Sequence, residues 1–155
     1  MLRLKILASA APFLIAALLA RGGLWPAVHP CIAMAGSSVE IADLPWRADL
    51  RVAFTEDPAA ATVRVLISQS AEASDFTLVD DMETADSNAC EANPATHAVT
   101  ISGNPDRGMP IIYLSSEGPA DYRIFVRSKT FSLREAAALI VGAGFVHQTL
   151  EAAAL

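Results

Sequence analysis

Charge is scarce in this chain, and positive charge scarcer still. Only 18% of its 155 residues are Asp, Glu, Lys or Arg, with 11 bases against 17 acids for a net charge of −6. Affinity for a phosphate backbone needs clustered Lys and Arg, so nucleic acid is not expected as a partner. Aromatic residues make up 6%, and there are three histidines, His29, His97 and His147. No two of them lie at i, i+4 and none belongs to a His-Glu-x-x-His, so the spacing that builds a zinc site is missing. Their plain reading is as surface or edge histidines. No Gly-x-Ser-x-Gly occurs either, which removes a common marker of a serine hydrolase. No cofactor is expected. Cysteine is limited to Cys31 and Cys90. That is too few for a disulfide framework, and a domain of this length can bury enough surface to fold without one.

What the chain does have is an export signature. Met1 to Lys5 supplies Arg3 and Lys5, and Ile6 to Ala20 is an uncharged apolar run closed by Arg21. A basic start followed by 7–15 apolar residues is the layout of a signal peptide. As a membrane span the fifteen-residue run reaches only about 23 Å at 1.5 Å per residue, against a hydrocarbon core of about 30 Å. Leu2, Leu4 and snorkelling Lys5 and Arg21 close much of that gap. Residues 1–21 are therefore expected to be a signal peptide or an N-terminal membrane anchor. Everything after Arg21 then lies outside the cytoplasm, in the periplasm, secreted or tethered to the inner membrane. Outside the cytoplasm two cysteines favour a bridge, so Cys31–Cys90 is the expected disulfide. Such a bridge requires residues 21–35 to be retained, which argues against cleavage after Ala35.

Residues 22–47 read as a linker and 48–145 as the folded domain, with 146–155 as a tail. From Leu50 onward apolar residues alternate with period two, the pattern of half-buried strands. Six strands are predicted, around Leu50–Phe54, Val63–Ile67, Phe76–Leu78, Val99–Ile101, Ile112–Leu114 and Tyr122–Val126. Turn formers separate them at Glu56-Asp57-Pro58, Asp106-Arg107-Gly108 and Glu117-Gly118-Pro119. Spacings of about 10–13 residues are too short for βαβ units, so antiparallel pairing is expected.

The strands also echo one another. Val52-x-Phe54-Thr55-x-Asp57-Pro58 followed by Ser68 matches Val99-x-Ile101-Ser102-x-Asn104-Pro105 followed by Ser115, and after one deletion Asp75-Phe76-x-Leu78 matches Asp121-Tyr122-x-Ile124. A finer echo opens four strands: Ala48-Asp49-Leu50, Ala61-Thr62-Val63, Ser74-Asp75-Phe76 and Ala120-Asp121-Tyr122. The expected fold is a β-rich α+β domain. Six antiparallel strands form two similar three-stranded units, 48–80 and 97–127, in a sheet or sandwich, with one C-terminal helix over 132–142. That helix opens on Ser132-Leu133-Arg134-Glu135, a capping box. Phe131 is its expected staple, Leu133, Ala136, Ala137, Ile140 and Val141 its apolar stripe, and Gly142 and Gly144 its end.

Candidate functional residues are few. Asp80, Asp81, Glu83 and Asp86 form the densest acidic cluster, which fits a solvated loop better than a calcium site because it lacks the glycine and alternate spacing of a calcium loop. Arg123, Arg127, Lys129 and Arg134 form a basic strip on an otherwise acidic domain, suited to an acidic partner or anionic lipid headgroups, or else paired with acids on a neighbouring strand. Ser68 and Ser115 occupy equivalent turn positions in the echo, where a hydroxyl satisfies a backbone amide. Trp25 suits a membrane interface, and Trp46 is expected to plug the open end of the sheet. The reading is an exported, non-enzymatic interaction or accessory protein with a protein partner at or near the membrane. A periplasmic small-ligand binder is the alternative and a cryptic hydrolase the third.

Overall fold

The period-two segments do become strands, and two further strands precede them. The computed structural model describes residues 30–34, 37–42, 44–79, 95–129 and 132–153. Among these lie β1 (Cys31–Met34), β2 (Ser37–Ile41), β3 (Leu50–Thr55), β4 (Val63–Ile67), β5 (Phe76–Val79), β6 (Thr96–Ser102), β7 (Ile111–Ser115) and β8 (Tyr122–Arg127). One helix, α1 (Leu133–Ala153), follows them. Strands β1 and β2 come from the stretch read as a linker. The export segment 1–21, Trp25, Phe131, Cys90 and the acidic cluster Asp80, Asp81, Glu83 and Asp86 lie outside the described residues.

The sheet corrects the expected pairing. It has eight strands in the order β1-β2-β6-β3-β7-β4-β8-β5. Among the described residues only β1 and β2 pair antiparallel, and every other pair is parallel. The two repeat units do not form separate three-stranded sheets. They interleave, so that β3, β4 and β5 alternate with β6, β7 and β8.

The register explains how so short a spacing can carry parallel strands. Ile41, where β2 ends, and Leu50, where β3 begins, both lie opposite Val99. Phe54 and Val63 both lie opposite Ile112, and Ile67 and Phe76 both lie opposite Ile124. Each strand thus starts at the level where its predecessor stopped, two places along the sheet. The connection only has to cross sideways over one strand and never runs back along the sheet. The usual need of a dozen or more residues for a parallel crossover assumes such a return.

The three residues about which these steps turn, Val99, Ile112 and Ile124, are fully buried. Burying side chains of this size contributes roughly 1.5–3 kcal/mol each.

The strand starts share one device. Asp49 N–H donates to the Ala98 carbonyl at 2.8 Å while its carboxylate accepts the Ala98 amide at 2.8 Å. Thr62 makes the same pair of bonds with Ile111, at 2.9 and 2.8 Å. Asp75 makes it with Arg123 and Asp121 with Arg64, all four bonds at 2.8–2.9 Å. In each case the side-chain oxygen replaces the backbone acceptor that a staggered neighbour cannot supply. The small-Asp/Thr-apolar echo in the sequence is this clamp.

Helix α1 opens as expected: the Ser132 amide donates to the Glu135 carboxylate at 2.7 Å and the Glu135 amide to the Ser132 hydroxyl at 3.2 Å. Its end is not where expected, because Gly142 and Gly144 do not stop it. They admit close neighbours instead. A Cβ on Gly142 would lie 2.5 Å from Val99 Cγ2, and one on Gly144 would lie 2.6 Å from the Tyr122 hydroxyl. The burial is not a stripe either. Ala136 to Ala143 are buried without interruption, and the helix touches β1, β2, β3, β4, β6 and β8. A helix lying on a flat sheet would show a solvent face every 3.6 residues. Here the curled sheet wraps it.

Candidate functional surface

Residues 136–143 of the helix are buried against the sheet, and two described features on the outer surface can meet another molecule. The first is a turn between β2 and β3. Pro45–Arg47 form a single 3₁₀ turn with proline at its start, where the missing amide costs nothing. The turn closes through Arg47 N–H to the Leu44 carbonyl at 2.9 Å. Both flanks are fastened to β6: Ala42 N–H donates to Val99 O at 2.8 Å, and Asp49 makes its two bonds to Ala98. A rigid base therefore presents Trp46, which is 79% exposed, beside Leu44 at 38%. This corrects the expectation that Trp46 plugs the sheet. The helix already fills that space, and the indole is left outside. Behind the turn, Glu40, Arg47, Asp49 and Thr96 line a recess of about 330 Å³ with Ile41, Ala42, Leu44 and Ala98. His97 Nδ1 stands 3.8 Å from the Asp49 carboxylate.

The second feature is an open groove of about 500 Å³ lined by Phe54, Thr55, Glu56, Tyr113, Leu114 and Arg134. The Arg134 guanidinium lies over the Phe54 ring, 4.4 Å from its centroid, a cation–π contact that holds it in place. Arg134 therefore belongs to β3 and this groove. Arg123 and Arg127 are exposed on β8, on the side opposite the inward Tyr122, Ile124 and Val126, and Lys129 is exposed just beyond. In the strand order β7 and β4 stand between β3 and β8, so within the sheet the strip is divided.

No protein-family model, no curated protein and no solved structure matches the chain.

Function must then be read from these surfaces and from the chemistry at their rims. Among the described residues no three His, Cys, Asp or Glu side chains are grouped as a metal site, and no helix is long and apolar enough to cross a membrane. No described cysteine is a free thiol. Cys31 opens β1 opposite Glu40. Its expected partner Cys90 lies outside the described residues, as does His29. His147 falls within α1.

The paired serines behave differently. The Ser68 hydroxyl accepts the Ser70 amide at 3.2 Å, as expected, and Ser102 does the same for Asn104 at 3.3 Å. The Ser115 hydroxyl is buried without a hydrogen-bond partner among the described residues. Tyr122 sits half-buried against α1, and desolvation, then the neighbouring Asp121 carboxylate, pushes its hydroxyl above the usual tyrosine range.

Sequence reasoning named Trp46 but gave it the wrong surroundings, and it did not find the Phe54–Tyr113–Glu56 groove at all. The signal for the groove was present only as Phe54 and Tyr113 on strands that the antiparallel reading kept apart.

Proposed function

We propose that this chain is an exported, non-enzymatic interaction protein, held at or released from the membrane, that works through its outer surface. The observation carrying this reading is the helix inside the sheet. Residues 136–143 fill the volume that a curled sheet would otherwise offer a small ligand, so binding is left to external features such as the Trp46 turn. Under this reading residues 1–21 deliver the chain across the membrane. Cys31 and Cys90 are bridged, and a protein partner is met at or near the bilayer. The test is chemical cross-linking of the native protein in intact cells followed by membrane fractionation. A discrete cross-linked companion recovered with the membrane fraction supports the reading. A chain recovered wholly uncross-linked in the cytoplasmic fraction with two reduced thiols overturns it.

A second reading is favoured by one feature. The groove where Arg134 is fixed over Phe54 beside Tyr113 suits a small anionic or aromatic ligand, which recommends the small-ligand binder as the alternative. A thermal shift with such ligands that disappears in Arg134→Ala would select it.

A further inference from the structure

We infer that the Leu44–Arg47 turn is a bilayer-contact site, with the Trp46 indole seated among lipid headgroups. The inference deepens the proposed function and rests on residues 1–21 being an export segment retained in the membrane.

Three observations point the same way. First, the turn is built to present an apolar tip. Trp46 is 79% and Leu44 38% exposed, and both flanks of the segment are bonded to β6, which fixes where the backbone presents them. Tryptophan is the side chain most enriched at membrane–water interfaces, where its ring is half apolar and its N–H is wet.

Second, the turn lies at the end of the sheet from which the N-terminal segment departs. Ile41 N–H donates to the Pro30 carbonyl at 2.9 Å, so Pro30 is level with the end of β2, and the turn begins three residues after Ile41. The apolar run ends at Ala20, leaving residues 21–29 before Pro30. At about 3.3–3.6 Å per residue the ten steps from Ala20 to Pro30 span at most about 36 Å. The turn cannot stand far from a bilayer that holds the run. A tether this short gives an effective concentration in the millimolar range, so a weak contact is enough to be populated.

Third, the charges are arranged to suit the contact. The domain is acidic overall and repelled by an anionic leaflet, but its repulsion fades within about 10 Å at ordinary ionic strength. Arg47, whose aliphatic stem can lie along an apolar surface while its charge reaches phosphate, lines the recess beside the turn together with Glu40 and Asp49, so a cation stands among the acids nearest the tip.

The test uses the full chain with Trp25→Phe, so that Trp46 is the only tryptophan, reconstituted into phosphatidylethanolamine–phosphatidylglycerol vesicles. Flotation reports the tether, and quenching of Trp46 by lipids brominated near the headgroup reports the contact. The expected result is a chain that floats, with blue-shifted emission quenched at least twofold by the brominated lipid. A chain that floats while Trp46 keeps the emission of a water-exposed indole overturns the inference and leaves the tether standing. A chain that does not float overturns the retained anchor, and the inference with it.

Discussion

At the residue scale, the buried hydroxyl of Ser115 is the clearest local cost in the fold. A hydroxyl removed from water without a partner is penalised by roughly 1–3 kcal/mol. Ser115→Ala is therefore expected to leave the fold intact and raise stability by up to about 1 kcal/mol, read as an increased urea midpoint at unchanged slope. Ser68→Ala should move it the other way, because that hydroxyl has a backbone amide to satisfy. Tyr122 gives a second prediction. Its hydroxyl ionises at higher pH in the folded protein than in the unfolded chain, whose value is near 10.0. The native state holds this proton more tightly, so the associated stability is present below pH 10 and is lost as pH rises through the folded value. Urea midpoints measured from about pH 9 to 11 should fall for the native sequence, and Tyr122→Phe should fall less steeply. An equal slope in both would remove Tyr122 as the cause.

At the scale of the element, the strand-start clamps and the glycine contacts of the helix can be tested separately. Asp75→Ala leaves the Arg123 amide without its acceptor and should cost about 1–2 kcal/mol, while Asp75→Asn, which keeps an acceptor oxygen, should cost less than half of that. Gly142→Ala asks Val99 to yield to a Cβ at 2.5 Å. Overpacking of this kind typically costs about 1–3 kcal/mol, despite the helix propensity that alanine adds. A rise in melting temperature would show that the helix is free to shift.

Much at this scale could be read from the chain. All six alternating segments are strands, the Ser132–Glu135 box caps the helix, and the four-fold Asp/Thr echo marks four equivalent positions. Parallel pairing could not be read, because period-two alternation fixes which residues face inward and says nothing about direction. Short spacing argued for hairpins on the assumption that each strand starts level with the last. The stagger that voids this assumption appears only once Phe54 and Val63 are seen to share Ile112. The helix length was missed for a related reason. Glycine reads as a stop when the neighbour that requires it is not known.

At the scale of the whole molecule, interleaving makes each half of the domain dependent on the other. Strand β3 pairs with β6 and β7, β4 with β7 and β8, and β5 with β8, so no strand of this set pairs with another of its own set. Fragments 1–87 and 88–155 should each lack a cooperative unfolding transition, and an equimolar mixture should recover one, followed by circular dichroism. A fragment that folds alone would contradict the interleaved register. The same dependence predicts slow folding, since nearly every strand contact joins distant parts of the chain and its loop entropy must be overcome first. The candidate surface was only half legible at this scale. Trp46 could be named from sequence, but its exposure follows from the helix having taken the interior, which is a property of the assembled fold.

The single antiparallel pair has a mechanical meaning. Strands β6, β3, β7, β4, β8 and β5 all run the same way, and tension along them must slide many hydrogen bonds at once. The β1–β2 pair is loaded differently by any pull arriving from the N-terminal side of the chain. Force enters at Pro30, beside the Cys31–Glu40 rung, and opens that rung before Ile32–Val39 and Ala33–Ser38, one at a time. The domain thus meets its N-terminal side through a seam loaded rung by rung, whereas the staggered core is loaded in shear. Cys31 sits at the first rung of that seam, where a covalent cross-link would hold the zip closed.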